Sequence, residues 1–147
     1  MARLLYIVLG LGLALYGAAR TLGNAAFFAD RFGLYPNAMA AGVRDALADR
    51  LPALNEGAVV PLPIEGYLGW SLAMGIALTL GALLALFRVR GGFTLIALYH
   101  ALFALLFLNY QTGGAKLYHL GASLAVFLVM VPIARGTGRG ARAARLS

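Results

Sequence analysis

His100 is the ionisable residue set deepest in an apolar stretch, and Phe93, Phe103, Phe107 and Gln111 fall near its helical face. A histidine in such surroundings can relay a proton, hydrogen-bond a carbonyl of the quinone type, ligate haem, or stay neutral against a neighbouring helix. His119 opens the next apolar block. Counting along the helices puts the two histidines about 10 Å apart in depth, so one haem held between them is not expected. No cofactor is implied by these residues alone, and quinone stays open.

A second group is polar and lies at the ends of the apolar blocks. Arg20, Asn24, Glu65, Asn109, Tyr110, Gln111, Lys116, Tyr118 and His119 are expected near one membrane boundary, the outer one. Arg20 and Glu65 are the natural ion pair, because a charge near lipid needs a partner or a route to water. Two readings stay open. The group lines an outward-facing pocket, or it forms an ordinary interfacial belt. Ser71, Ser123 and Thr79 have no evident base or acid beside them, and the acids are too dispersed for a carboxylate pair. No P-loop or dinucleotide glycine pattern occurs. The chain has no cysteine, which excludes disulfides, thiolate metal sites and thiol redox chemistry. No metal site and no catalytic activity of the chain on its own are expected.

The elements that would position these residues are membrane spans. Of 147 residues, 62% are hydrophobic and 12% charged, about half the charge of an ordinary soluble domain. The apolar residues fall in four blocks, predicted as spans over about 4–24, 66–87, 92–110 and 116–134, with a helical continuation of the first through Asn24 towards Phe28 left open. Each approaches the ~20 residues a helix needs to cross a bilayer. Backbone groups in lipid must bond internally, so the blocks are helical. Gly17-Ala18-Ala19 is similar to a signal-cleavage site, but Arg3 alone gives the first block a charged start, and it reads as a span.

The expected fold is therefore an all-α, four-transmembrane-helix bundle over residues 1–135, followed by a basic tail over 136–147. Residues 25–65 form the predicted outer loop. Inside it Pro36-Asn37 and Pro52 bracket a short helix, with Met39, Val43, Leu47 and Leu51 at four-residue spacing. That stripe predicts an amphipathic helix lying on the membrane surface or capping the bundle. Gly10 and Gly17 in the first span, and Ser71, Gly75 and Gly81 in the second, predict close helix packing.

Charge sets the orientation. The termini and the turn between the second and third spans share one face, which holds Arg3, Arg88, Arg90, Arg135, Arg139, Arg142 and Arg145. The other face holds Arg20, Arg31, Arg44, Arg50 and Lys116, balanced by Asp30, Asp45, Asp49, Glu56 and Glu65. The whole +7 net charge lies on the first face, predicting cytoplasmic termini in the inner membrane. The same basic face is read as touching anionic lipid and not nucleic acid.

Several phrases taken in order resemble the DoxX-like family of small four-helix membrane proteins. Arg3-Leu4-Leu5 opens the first span. Gly17-Ala18-Ala19-Arg20-Thr21-Leu22 is similar to the family's Gly-x-x-Lys-Leu ending, with Arg for Lys and Thr21 inserted. Phe32-Gly33-Leu34-Tyr35-Pro36 resembles its outer-loop phrase, Glu65-Gly66 opens the second span, and Gly75 through Leu84, with Arg88 after it, resembles its glycine-and-leucine helix and basic turn. The loop before the second span is longer than in the family. The resemblance implies an accessory subunit of a membrane redox or respiratory assembly, with Arg20 and Glu65 at a shared polar site. The expected partners are the lipid bilayer and another membrane protein or a second copy. A small transporter or channel is the alternative.

Overall fold

The computed structural model describes residues 1–89, 91–111 and 115–143, and the side chains of all of these except 115, 116 and 137–143. Arg90, Gly113, Gly114, the Lys116 side chain and much of the basic tail lie outside that description. The described chain is all-helical, in the order α1 (Ala2–Arg31), α2 (Ala38–Glu56), α3 (Ile64–Leu86), α4 (Gly92–Tyr110) and α5 (Ala115–Ala143). Among the described residues, α1, α3, α4 and the 117–136 stretch of α5 are long and apolar enough to cross a membrane. That is the pattern of a multi-pass membrane protein.

Two boundaries differ from the sequence expectation. α1 does not stop near residue 24. Ala25, Ala26, Phe27, Phe28 and Ala29 continue it, and it ends only where Gly33 adopts a left-handed φ of +69°. There Leu34 N–H donates to Ala29 O at 2.8 Å and Gly33 N–H to Asp30 O at 3.0 Å, a glycine-terminated cap. α2 has 19 residues and is not the short helix expected, because it carries Pro52 inside and runs on to Glu56. Proline forfeits one helical bond, but neighbours hold the turn. Leu51 is buried, and Asn55 exchanges two hydrogen bonds with Leu62 at 2.9 and 3.1 Å. Asn37 starts α2 by accepting from Met39 N–H (2.9 Å) and Ala40 N–H (3.2 Å).

α1 packs most extensively on α3. A Cβ on Gly17 would lie 2.8 Å from the backbone nitrogen of Thr79, and one on Gly75 would lie 2.9 Å from that of Thr21. Each helix thus presents a glycine to the other's threonine. The two hydroxyls meet at 3.0 Å, where one donates to the other, and each also lies within hydrogen-bond distance of a carbonyl of its own helix, Thr21 of Gly17 O and Thr79 of Gly75 O. Gly81 does the same for α4, where its Cβ would meet Ile96 N at 2.9 Å, and Gly10 sits against Leu86 and Met130. Ser71 is buried in the same row. α5 is the most exposed of the four long helices and touches α4 only sparsely.

Candidate functional site

The α1–α3 contact fixes the depth of Arg20. Its neighbour Thr21 packs on Gly75, the central residue of α3. Arg20 therefore lies level with the helix centres and not at the boundary where the sequence placed it. The reason is the extended α1, which carries seven further residues after Asn24, through Arg31, before it ends.

The Arg20–Glu65 pair does not form. Glu65 accepts from Arg31 Nε and Nη2, at 2.9 and 2.6 Å. Asp30 and Asp45 both pair with Arg44. The hydrogen bond to Asp45, and then the charges of Asp45 and Asp30, hold the Arg44 guanidinium above its ordinary value. No acid pairs with Arg20 among the described residues.

Arg20 is instead enclosed by rings and hydroxyls. Its guanidinium carbon stands 4.9 Å from the Phe103 ring centre and 5.9 Å from that of Tyr99, within cation–π range. Its Nη1 donates to the Tyr16 hydroxyl over a long 3.4 Å. Its Nε is buried and has no hydrogen-bond partner among the described residues, and neither has the hydroxyl of Tyr99, a fully buried residue. The side chains of Ser123 and Tyr16 are close enough to interact with the Tyr99 hydroxyl, as is the charge of Arg20, but neither side chain meets it in hydrogen-bond geometry. Two buried donors, one of them cationic, are thus left without an acceptor among the described residues, and an unsatisfied buried donor is costly unless an acceptor bonds to it.

His100 adjoins this place. It is buried, with Nδ1 2.8 Å from Ile96 O and Nε2 3.2 Å from Ser123 Oγ, and its ring meets Tyr99 edge-on at 4.9 Å. His100 therefore faces the bundle interior and bridges α4 to α5. Ser123 Oγ lies 3.1 Å from Leu120 O as well, so its single proton serves either that carbonyl or His100 Nε2. His119 is exposed, but its ring stacks on Tyr16 at 6.3 Å.

The other expected site residues do different work. Asn24 donates to Arg20 O at 2.7 Å, a local bond within α1. Asn109 clasps the segment before α3, accepting from Val60 N–H and donating to Val60 O at 2.7 and 2.9 Å. Tyr110 packs on Tyr67 at 5.9 Å, and its buried hydroxyl has no partner among the described residues. Gln111 ends α4 at φ +48°. The structure thus draws Arg20, His100 and His119 to one region, adds Tyr16, Tyr99, Phe103 and Ser123, and places Glu65, Asn109 and Tyr110 elsewhere. The sequence carries a faint signal for the additions, since Tyr16 and Arg20 are four apart, as are Tyr99 and Phe103, and His119 and Ser123.

Among the described residues no cluster of metal-ligating side chains occurs. No protein-family model, curated protein or solved structure matches the chain.

Proposed function

We propose that the chain is an accessory subunit of a redox or respiratory assembly in the inner membrane. Its Arg20 site holds a lipophilic molecule headed by a carbonyl or anionic oxygen, of the quinone class. The observation that carries this reading is the pair of buried donors, Arg20 Nε and Tyr99 Oη, that have no hydrogen-bond partner among the described residues and lie level with the helix centres. They fit an acceptor oxygen, and Tyr16, Tyr99 and Phe103 supply ring faces that suit a planar headgroup. A quinone would bring reversible electron and proton transfer to this place. The chain's own residues would do simpler work. Arg20 orients the oxygen, Tyr99 donates to it, and the His100–Ser123 bond holds the α4 and α5 walls together.

The DoxX-like resemblance supports the accessory role, and the exposed face of α5 offers a surface for the partner. The basic end faces the cytoplasm in this reading. α2 then lies at the outer interface, with exposed Met39 and Val43 turned to lipid. Gentle extraction from native membranes, followed by mass spectrometry of proteins and small molecules, tests the proposal. Wild-type protein carries quinone and redox subunits, and Arg20→Met carries the subunits without the quinone. A monomer that brings neither sinks the reading.

Transport is the second reading. It is favoured by the Tyr99–His100–Ser123 row, whose exchangeable protons lie at mid-span. Proteoliposome flux unchanged by His100→Ala counts against it.

A further inference from the structure

The packing of Thr21 on Gly75, the central residue of α3, sets a level from which depth can be counted. From that level α1 runs ten more residues to Arg31, and α3 begins eleven residues away at Ile64. At 1.5 Å per residue both helices end about 15 Å from the middle, half of a ~30 Å hydrocarbon layer. The turn 32–37 and the start of α2 therefore lie at headgroup depth. Large apolar side chains are exposed there in a row: Phe32, Leu34 (77%), Tyr35, Met39 (81%) and Val43. The Phe32 ring meets Phe28 of α1 at 4.8 Å, so the row continues the spanning wall.

α2 has three sides. Ala40 and Leu51 are buried, and the helix packs on α1 and α3. Met39, Gly42, Val43, Ala46 and Ala53 make an exposed apolar side. Asp45, Asp49 and Glu56 make an exposed acidic side, about a quarter-turn further round. A membrane surface sorts exposed residues in this way, because it offers lipid below and water above. Arg50 shares the apolar azimuth at the end far from Met39, where its long stem reaches water. α2 carries two arginines against three acids, so nothing in it favours anionic lipid. The undescribed residues at this end, 112–114, follow α4, and the tail follows the opposite end of α5.

We propose that residues 32–46 are a membrane anchor, lodged by their apolar row in the lipid leaflet where α1 ends and holding neutral and acidic lipids alike. Asp45, Asp49 and Glu56 stay in water. The anchor is the same in either orientation of the chain, and it does not depend on the Arg20 site.

The test uses the full chain in phosphatidylcholine vesicles, with one nitroxide label at a time on Met39→Cys, Val43→Cys, Asp49→Cys or Glu56→Cys. Each label is read by its access to oxygen, which collects in lipid, and to a water-soluble nickel chelate. Labels at 39 and 43 meet oxygen and are shielded from nickel, labels at 49 and 56 do the reverse, and added phosphatidylglycerol changes neither. Nickel access at 39 and 43 would place the row in water and overturn the proposal. Shielding from both reagents would mean that protein covers the row, and would overturn it too; spin–spin broadening would then identify a second copy as the cover. A pattern that needs phosphatidylglycerol overturns the indifference to lipid charge. Met39→Asp/Val43→Asp in the Tyr35→Cys chain changes only exposed side chains, so helix content by circular dichroism is unchanged. The label at position 35 then moves from oxygen to nickel, and a label that stays in lipid overturns the role given to the α2 side of the row.

Discussion

Among the described residues Arg20 has rings and a hydroxyl, and no acid, against its guanidinium, so its chemistry depends on geometry as well as charge. Lysine keeps the charge but not the planar, stacking guanidinium. Arg20→Lys is therefore expected to leave the helices intact by circular dichroism while losing the bound molecule in mass spectrometry. Retention equal to wild type would show that charge alone suffices. Ser123→Ala removes the partner of His100 Nε2. Side-chain hydrogen bonds between membrane helices average about 0.6 kcal/mol, so the loss in a reversible unfolding titration in mixed micelles is small. The ion pairs rank by exposure. The Arg31–Glu65 side chains are 46% and 38% exposed, whereas Asp30 is 7% exposed in its pair with Arg44. Asp30→Asn should thus destabilise more than Glu65→Gln in the same titration, because exposed pairs contribute little. The reverse order would mean that the α1–α3 end, and not the α1–α2 join, holds the loop.

The glycine–threonine cross makes α1 and α3 one unit. A methyl group at Gly75 would press on the backbone of Thr21, which cannot rotate away. Gly75→Ala is expected to cost about 1–3 kcal/mol, the usual range for overpacking. Gly23 lies in the same helix as Thr21 but meets nothing within 4 Å. Gly23→Ala should be neutral, or stabilising by up to about 1 kcal/mol through helix propensity. Unfolding of the two variants side by side checks the contrast, and equal effects would remove the cross as the anchor of the fold. α5 differs, being the most exposed of the long helices and bound to α4 through His100–Ser123 and the Phe93–Phe127 contact at 6.1 Å.

Over the whole molecule, the cysteine-free sequence allows a direct test of orientation. Gly57→Cys, between α2 and α3, should react with an impermeant maleimide in intact cells, and Val89→Cys, between α3 and α4, should not. The opposite pattern would invert the topology. The four spans were legible in the sequence because hydropathy and length suffice for them. Gly10, Gly17, Gly75 and Gly81 were legible as packing residues because small side chains at helical spacing have few other uses. The continuation of α1 towards Phe28 was legible because residues 25–29 are apolar or small, but its end at Arg31 and its effect on the depth of Arg20 were not, since the terminating glycine lies beyond them. That error of register misplaced Arg20 and suggested Glu65 as its partner. Tyr16, Tyr99 and Ser123 were missed because their meeting depends on the relative rotation of three helices, which local pattern does not encode.

The α1–α3 pairing also has a consequence for biogenesis. α1 leaves the ribosome first, but its principal neighbour follows only after α2 and the segment to Ile64, and the rings over Arg20 come later still, on α4. An arginine near the centre of a lone inserting helix costs about 2.5–3.5 kcal/mol. Until Phe103 and Tyr99 emerge, that charge must be sheltered by the insertion machinery, by water or by the interface. Settling of the first helix in lipid is thus expected to wait for α3 and α4, and a chain halted before α4 is expected to hold α1 less firmly in the membrane than the full chain does.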